Sequence, residues 1–268
     1  MASALKNRWV LITGASSGFG AAAARAFGAE GSKLLLGARR MERLSEVASD
    51  ALKAGAAEAQ YHRLDVSKTS SVEEFVAWAG KRINDSHPAA INTHGLHVLI
   101  NNAGGAHGLD PVSEGKDEDW ETMLQTNVLG VLRMTRACLP LLPKDSGSSI
   151  INIGSYAARA VYEGGAAYCA AKAGELQISR ALRLELSGTG IRVSSIDPGL
   201  AETEFSVVRF KGDLAKAKKP YEGTQPLVAE DIAEILVWVA SRPPHVNIDE
   251  MLIKPVDQAA MHKVYRRK

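Results

Sequence analysis

Short apolar runs alternate with longer stretches of helical periodicity along almost the whole chain. Within the runs polar and apolar residues do not alternate, and this is the pattern of strands that are covered on both faces of a sheet. We therefore predict seven strands, at residues 9–13, 33–37, 61–64, 97–100, 149–153, 191–196 and 251–253.

The stretches between the strands predict helices at residues 20–30, 41–54, 71–82, 120–139, 168–186 and 230–240. Strands and helices that alternate at this rhythm form right-handed βαβ units around a parallel sheet. No linker rich in proline, glycine or serine divides the chain. The predicted fold class is therefore α/β, with one domain over residues 1–268 and a doubly wound, mostly parallel, seven-stranded sheet with helices on both faces.

Two segments depart from the alternation of strands and helices. Residues 84–95 are polar and predict a surface insertion before the fourth strand. Residues 205–224 mix aromatic residues with lysines after a Pro-Gly turn. Because open α/β sheets bind ligands beyond the carboxyl ends of their strands, we expect a substrate loop at about residues 200–225.

Composition and charge exclude several classes of protein. The chain has 268 residues and a net charge of +2, which gives no electrostatic basis for nucleic-acid binding. No run of about 18 apolar residues predicts a membrane span, and no signal for secretion is present, so we expect a cytoplasmic location without membrane association. Cys138 and Cys169 form neither a disulfide framework nor a metal-binding spacing, and no metal is predicted.

A glycine-rich loop follows the first strand. It reads Thr13-Gly14-Ala15-Ser16-Ser17-Gly18-Phe19-Gly20 and leads directly into a helical pattern. Glycines allow a sharp turn and a close approach of the backbone to a pyrophosphate, and the helix N-terminus supplies free N–H groups. The loop predicts dinucleotide binding; the alternative is a glycine-rich turn without a ligand.

The end of the second strand indicates which dinucleotide is bound. NAD-binding folds place an acid there for the ribose 2′-hydroxyl, but this strand ends in Arg39 and Arg40. Since an arginine pairs with a 2′-phosphate, we predict NADP, with Arg39 as the main contact and Arg40 as a helper. The alternative is that both arginines are only solvated at the start of the next helix.

Tyr168 and Lys172 are four residues apart, so both lie on one face of a helix. An unperturbed tyrosine has a pKa of about 10, and a neighbouring ammonium favours the phenolate. Such a pair can act as a general base for an alcohol or as a general acid for a ketone. On its own the spacing is common and mostly indicates only a core tyrosine beside a lysine that reaches to solvent.

Three further elements strengthen the interpretation of the tyrosine–lysine pair. Ser155 follows the fifth strand, where its hydroxyl can hold a substrate oxygen. Asn101-Asn102-Ala103-Gly104 closes the fourth strand beside the expected adenosine position. Asn127 stands in the middle of a predicted helix, where it is unfavourable unless it binds a bent backbone carbonyl or a water molecule; the alternative is a solvent-facing asparagine.

Taken together, these motifs resemble the short-chain dehydrogenase/reductase family in its single-domain Rossmann form. The matching elements occur in the family's order and span most of the chain. They are the TGxxxGxG loop, Asp65 after the third strand, the Asn101–Gly104 motif, Asn127, Ser155, Tyr168 with Lys172, and Pro198-Gly199 followed by Thr203.

The resemblance implies a role for each matching residue. Tyr168 is the expected general acid/base, Lys172 lowers its pKa and binds the nicotinamide ribose, Ser155 orients the substrate carbonyl, and Asn127 holds a water in a proton relay. The implied cofactor-binding residues are Gly14, Ser16, Ser17, Gly18, Phe19, Gly20, Arg39, Arg40, Asp65, Val66, Asn101, Ala103, Gly104, Tyr168, Lys172, Pro198, Gly199 and Thr203.

A narrower resemblance covers nearly the full chain. The segments 37–44, 119–121, 198–205, 208–212 and 245–248 are similar to those of NADP-dependent 3-hydroxy acid dehydrogenases, a group that includes serine 3-dehydrogenase and L-allo-threonine dehydrogenase. This likeness implies a homo-tetramer that oxidises the C3 alcohol of a short 3-hydroxy acid. The chain departs from the group in the length of residues 84–95, and Cys169 is interpreted as packing.

A carboxylate substrate needs a cationic anchor, for which Arg209 and Lys211 are candidates, while Glu204 could meet a substrate amine. Alternatively, these three charged residues are only solvated in a surface flap.

Two other functions remain open. One is a broad NADPH-dependent carbonyl reductase of ketones, keto esters or diketones. The other is a regulatory protein that binds the dinucleotide without turnover, which the presence of Tyr168, Lys172 and Ser155 disfavours.

Overall fold

The computed structural model describes residues 4–85, 95–144 and 146–267. Seven parallel strands form one sheet in the order β3-β2-β1-β4-β5-β6-β7, which confirms the predicted doubly wound α/β fold. The order reverses between β1 and β4, and ligand crevices of open α/β sheets form at such a point. The strands are β1 (Trp9–Thr13), β2 (Lys33–Ala38), β3 (Glu58–Arg63), β4 (Leu96–Asn101), β5 (Ser149–Ile153), β6 (Arg192–Pro198) and β7 (Glu250–Ile253).

Helices cover both faces of the sheet, as the uninterrupted apolar strands require. In β1, Val10 and Ile12 face one hydrophobic core, while Trp9 and Leu11 face the other, because successive side chains point to opposite faces. The helices are α1 (Gly18–Ala29), α2 (Met41–Ala54), α3 (Thr69–Asp85), α4 (Asp117–Leu124), α5 (Gly130–Cys138), α6 (Ala166–Glu185), α7 (Phe205–Arg209), α8 (Leu214–Lys218) and α9 (Ala229–Ala240).

The helix predicted at residues 120–139 is not continuous in the structure. Helix α4 ends at Leu124, a π-helical turn follows at Gln125–Leu129, and α5 continues from Gly130. An extra residue in one turn only shifts the phase of the apolar pattern that follows it, and a pattern of about 20 residues is too short to reveal such a shift. The prediction of one uninterrupted helix is therefore wrong at this turn.

The segment after β6 folds back over the carboxyl edge of the sheet. It contains α7 and α8, and the C-terminal hairpin of β8 (Gln258–Ala260) and β9 (Lys263–Val264) packs near it. Arg267 donates to Asp257 at 2.5 Å, and its backbone N–H donates to the carbonyl of Gly223 at 2.6 Å. These bonds fasten the C-terminal residues to the segment. The predicted insertion at residues 84–95 lies largely outside the described residues.

In the described part of the chain no helix is long and apolar enough to cross a membrane. The same residues contain no cluster of histidine, cysteine and acidic side chains that could hold a metal ion.

Three arginines hold the edge strand β7 through one carboxylate. Glu250 accepts hydrogen bonds from Arg180 at 2.7 Å, from Arg159 at 2.6 Å and from Arg183 at 3.1 Å. The hydrogen bond from Arg180 is the largest influence and, with Arg159, outweighs burial, so the pKa of Glu250 falls to about 2. The carboxylate therefore links β7 to α6 and to the segment after β5.

We predict that Glu250→Gln lowers the free energy of unfolding by about 1 kcal/mol at pH 7, a figure reduced for solvent screening. A carboxylate with a depressed folded-state pKa contributes stability above its unfolded pKa, and this contribution is lost as the pH falls through the folded value. The deficit should therefore shrink between the unfolded pKa of 4.5 and a pH of about 2. Urea midpoints measured across this range test the prediction. E230Q, which removes an exposed partner of Arg25, is the control and should cost less than about 0.5 kcal/mol.

Candidate active site

A cleft of about 980 Å³ opens at the carboxyl edge of the sheet, beside the reversal between β1 and β4. Most of the site residues predicted from the sequence line this cleft. They are Gly14, Ser16, Ser17, Gly18, Phe19, Arg39, Arg40, Asp65, Val66, Ala103, Gly104, Ser155, Tyr168, Lys172, Pro198, Gly199 and Thr203.

The glycine-rich loop is fastened to the end of β4. Thr13 Oγ1 accepts hydrogen bonds from the backbone N–H groups of Asn102 at 3.0 Å and Ala103 at 2.9 Å. The side chain of Asn102 donates to the carbonyl of Thr13 at 2.9 Å. Gly14 has a φ of +65°, and a Cβ there would lie 2.9 Å from the Cα of Ala103, so this position requires glycine.

Two predicted cofactor residues do not reach the cleft. Asn101 is buried, and its Nδ2 donates to Asn152 on β5 at 2.8 Å and to Thr135 on α5 at 3.1 Å. Its neighbour Asn102, which belongs to the predicted motif but not to the implied cofactor-binding residues, lines the cleft instead. The side chains alternate along the end of β4, so adjacent asparagines face different environments. Gly20 packs inside the loop, where a Cβ would lie 2.5 Å from the Gly14 carbonyl oxygen.

Arg40 forms the charged side of the cleft mouth. Its Nη2 donates to Ser17 Oγ and to Glu204, each at 2.7 Å, and to Ser16 Oγ at 3.3 Å. The hydrogen bond from Arg40 lowers the pKa of Glu204, which is therefore ionised at neutral pH. The ionised carboxylate lies among an arginine and serine hydroxyl groups, and such an arrangement suits an anion. Arg39, the expected main contact, is exposed and acts electrostatically on Asp65.

Asp65 lies at the far end of the cleft, after β3. Its Oδ1 accepts from the Ser67 hydroxyl at 2.6 Å and from the Ser67 backbone N–H at 3.1 Å. Burial opposes ionisation of the carboxyl group, but these hydrogen bonds and the charge of Arg39 outweigh it and lower the pKa of Asp65. Asp65 therefore stays ionised at neutral pH and can accept hydrogen bonds from a ligand.

Tyr168 and Lys172 lie on α6 and face the cleft together, as their spacing predicts. Lys172 Nζ donates to the carbonyl of Ile153 at 2.7 Å and to Glu175 at 2.8 Å. Burial disfavours the ammonium, but Glu175 and Tyr168 outweigh burial and raise the pKa of Lys172. Ser155 follows β5, and its Oγ accepts from the Ala157 N–H at 3.1 Å, which leaves the hydroxyl proton available.

Asn127 lies behind the wall of the cleft rather than in it. It sits in the π-helical turn, where Nδ2 donates to the carbonyls of Met123 at 2.8 Å and Gly105 at 2.9 Å. Its Oδ1 accepts from the Gly105 N–H at 3.1 Å. The expectation of a buried asparagine that binds backbone carbonyls agrees with this geometry, and the alternative of a solvent-facing asparagine does not.

Arg209, on α7, stands against the catalytic tyrosine candidate. Its guanidinium carbon lies 5.1 Å from the ring centroids of both Tyr168 and Phe205 and 5.5 Å from that of Tyr162. Its Nη2 donates to the Tyr162 hydroxyl, and burial raises the pKa of Tyr162 to about 12, so that this partner stays neutral. Within the described residues, Arg209 Nε has no hydrogen-bond partner and the guanidinium pairs with no carboxylate.

The sequence reasoning missed Tyr162 and Glu175. Tyr162 carries no spacing signal, since it reaches Arg209 only through the tertiary fold. Glu175 could have been noticed, because it stands three residues after Lys172 and so lies on the same helical face.

A dinucleotide fits this arrangement. Gly14 leaves space where the Cβ of any other residue would lie. The N-terminus of α1 lies beside Arg40 and two serine hydroxyls at the cleft mouth. Such a combination of helix N-terminus, glycine and arginine suits phosphate groups.

The sequence profile of the short chain dehydrogenase family matches residues 8–213. The NADP-dependent 3-hydroxy acid dehydrogenase YdfG of Salmonella typhi is 46% identical over 251 residues, which cover 93% of this chain and 96% of the relative. The serine 3-dehydrogenase of Agrobacterium fabrum is 39% identical over 260 residues, 96% of this chain and 98% of the relative.

Solved structures agree with these relatives. The closed form of serine dehydrogenase complexed with NADP⁺ has a TM-score of 0.84 and 41% identity, and the match covers 97% of this chain and all of that one. The chain therefore belongs to the short-chain dehydrogenase family, as its motifs predicted.

Proposed function

We propose that the protein is an NADP-dependent dehydrogenase that reversibly oxidises the C3 hydroxyl of a short 3-hydroxy acid, of the serine, L-allo-threonine or 3-hydroxypropionate type. The predictions of an oxidoreductase and of NADP as cofactor are confirmed by the family and by the relatives' names. The acid substrate is supported by the same names and by the position of Arg209.

In the proposed reaction Ser155 and Tyr168 act on the substrate, and Lys172 acts on Tyr168. Ser155 donates a hydrogen bond to the substrate oxygen, and Tyr168 accepts the hydroxyl proton as the C–H bond breaks. The ammonium of Lys172 favours the phenolate form of Tyr168. Asn127 is proposed to hold a water molecule in a proton relay through Lys172, and its hydrogen bonds to the Gly105 backbone fix its side chain. When bound, NADP supplies the nicotinamide ring that accepts the hydride.

The residues proposed to hold NADP are those of the glycine-rich loop, the two arginines after β2, and the edge of the sheet. Ser16, Ser17, Arg39 and Arg40 would bind the 2′-phosphate side, and Asp65 and Val66 the adenine. Ala103, Gly104, Lys172, Pro198, Gly199 and Thr203 would line the ribose and nicotinamide side.

The observation that carries the proposed acid substrate is the unpaired state of Arg209 beside Tyr168. Of the charged candidates in the substrate segment, Lys211 is paired with Asp119 at 2.8 Å and Glu204 with Arg40 at 2.7 Å. Arg209 alone among these three lacks an opposite charge in the described residues. A guanidinium held by aromatic rings and without a carboxylate can accept one from a substrate in a bidentate pair.

We predict that Arg209→Met lowers kcat/KM for L-serine and 3-hydroxypropionate about 10- to 100-fold, because a charge-assisted hydrogen bond is worth about 1.5–3 kcal/mol. The methionine keeps an apolar stem among the rings, so oxidation of the uncharged 2-butanol should change less than about threefold. Initial rates of NADP reduction measure both. K211M removes a cation that is already paired, and it should resemble the parent protein with every substrate.

The same assay separates the alternatives. Y168F should abolish turnover of acids and alcohol alike, and a variant that keeps a third of the parental rate would contradict the acid/base assignment. If all four acids (L-serine, L-allo-threonine, L-threonine and 3-hydroxypropionate) are inert while NADPH-dependent reduction of simple ketones is fast, the protein is a general carbonyl reductase.

We predict that Arg39→Ala and Arg40→Ala each weaken NADPH binding about tenfold or more, while NADH binding changes less than about twofold. The reason is that only NADPH carries the 2′-phosphate with which these guanidinium groups pair. Fluorescence titration with each nucleotide gives the dissociation constants. R43A is the matched control, since Arg43 is exposed on α2 and pairs with Glu46. Equal losses for both nucleotides would exclude the phosphate contact.

We also propose a cytoplasmic homo-tetramer. Both cysteines are unpaired, which suits a reducing compartment. Leu124, Leu129 and Leu132 are 44%, 37% and 42% exposed on one side of the fold, and Leu184 on α6 is 81% exposed. Such a group of exposed leucines is typical of a subunit interface.

Light scattering should give a mass of four chains, and L184E should reduce it, because a charge in an apolar interface opposes association. L52E changes an equally apolar but separate position on α2 and should remain tetrameric. A parental protein that is monomeric at micromolar concentration would exclude the tetramer.

A further inference from the structure

Glu175 is a buried carboxylate in direct contact with Lys172. It is 1% exposed, and its Oε2 accepts from Lys172 Nζ at 2.8 Å. Its other oxygen, Oε1, has no hydrogen-bond partner among the described residues. Burial of a carboxylate with one oxygen lacking a hydrogen bond lowers the free energy of unfolding. The protein nevertheless keeps this group beside the lysine of the site.

Lys172 has three N–H donors and uses two of them. One goes to the Ile153 carbonyl and one to Glu175, which leaves a single donor for a ligand in the cleft. Glu175 therefore fixes the direction of the ammonium group. It also places a negative charge where it cancels part of the field that the ammonium exerts on Tyr168.

Other charged groups around this pair are few. Asp197, on β6, acts on both Lys172 and Glu175, but it is itself held by Arg159 at 2.6 Å and by Ser195 at 2.6 Å. Arg159 and Ser195 thus largely compensate the charge of Asp197. The charges that face Tyr168 are then Lys172 on its own helix and Arg209 on α7, whose guanidinium carbon lies 5.1 Å from the ring centroid. Of these two cations, Lys172 is the one that Glu175 contacts.

We propose that Glu175 is a positioning residue that sets, through Lys172, how readily Tyr168 gives up and takes back its proton. The inference rests on the proposed role of Tyr168 as the acid/base. With Glu175 ionised, the ammonium is partly neutralised and supports the phenolate less. With Glu175 uncharged, the full charge of Lys172 favours the phenolate.

Burial is the main reason that the pKa of Glu175 rises to about 7, and the charge of Lys172 only partly offsets it. Glu175 then changes its charge near neutral pH. The support that Lys172 gives to the phenolate of Tyr168 therefore weakens as the pH rises through about 7.

The test is the pH dependence of 3-hydroxy acid oxidation in Glu175→Gln. Glutamine keeps the carbonyl oxygen that accepts from Lys172 but removes the negative charge. We expect the acidic limb of the kcat profile to move lower by up to about one pH unit, because Glu175 acts on Tyr168 through Lys172 and such an indirect effect is smaller than the roughly one to three units typical of a directly neighbouring charge. E185Q makes the same change in charge at the exposed end of α6 and should leave the profile unmoved.

A second measurement needs neither substrate nor cofactor. Tyrosinate absorbance is titrated in the free protein, and subtraction of the same titration of Y168F, which retains the other five of the six tyrosines, isolates the signal of Tyr168. The Tyr168 signal should develop at lower pH in E175Q than in the parent. In E175D, which restores the charge, it should return toward the parental position.

The two readouts together decide the proposal. If E175Q is folded and both the rate profile and the tyrosinate titration coincide with those of the parent, Glu175 only fills space and the proposal is wrong. A shift of equal size in E185Q would also overturn it. If no hydroxy acid is oxidised at all, the proposed function fails, while the titration still measures the coupling between Glu175 and Tyr168.

Discussion

The structure depends on the close approach of two parallel strands that are far apart in sequence. The Thr13 hydroxyl and the Asn102 side chain join the end of β1 to the end of β4, and Gly14 permits the contact because a Cβ there would collide with Ala103. This junction holds the glycine-rich loop at the reversal of the sheet. The same junction lines the cleft and fixes the point at which α1 begins.

Charge pairing on the cleft walls distinguishes residues that hold the fold from residues that can receive a ligand. Glu204 and Lys211 are engaged by Arg40 and Asp119, while Arg209 is surrounded by aromatic rings and has no acidic partner in the described residues. Arg209 is half-buried, and its enclosed Nε lacks a hydrogen-bond partner in the described residues, which is unfavourable for a guanidinium. In the proposed function a carboxylate substrate supplies that counter-ion, and Arg209 would then contribute both affinity and selection for acids.

The fold was predictable because it follows from periodicity, and the tyrosine–lysine pair because a helix places residues four apart on one face. Features that depend on tertiary contacts were not. Asn101 and Asn102 are chemically identical, and only the register of β4 decides that the second one faces the cleft. The π-helical turn around Asn127 has no periodic signature that separates it from an α-helix. Arg40 and Glu204 meet across 164 positions of sequence, a distance that no local pattern spans.

The contacts that build the cleft also determine at which stage of folding the cleft forms. Thr13 meets Asn102 across 89 positions, and Arg159 meets Glu250 across 91. Chains dominated by such non-local contacts fold slowly, because loop closure must precede the contacts that reward it. Helix α6 can form from local interactions, but the tyrosine and lysine on it gain their surroundings only after the strands have paired. In a partly folded chain, α6 can therefore carry the tyrosine and the lysine before the surrounding groups of the site are in place.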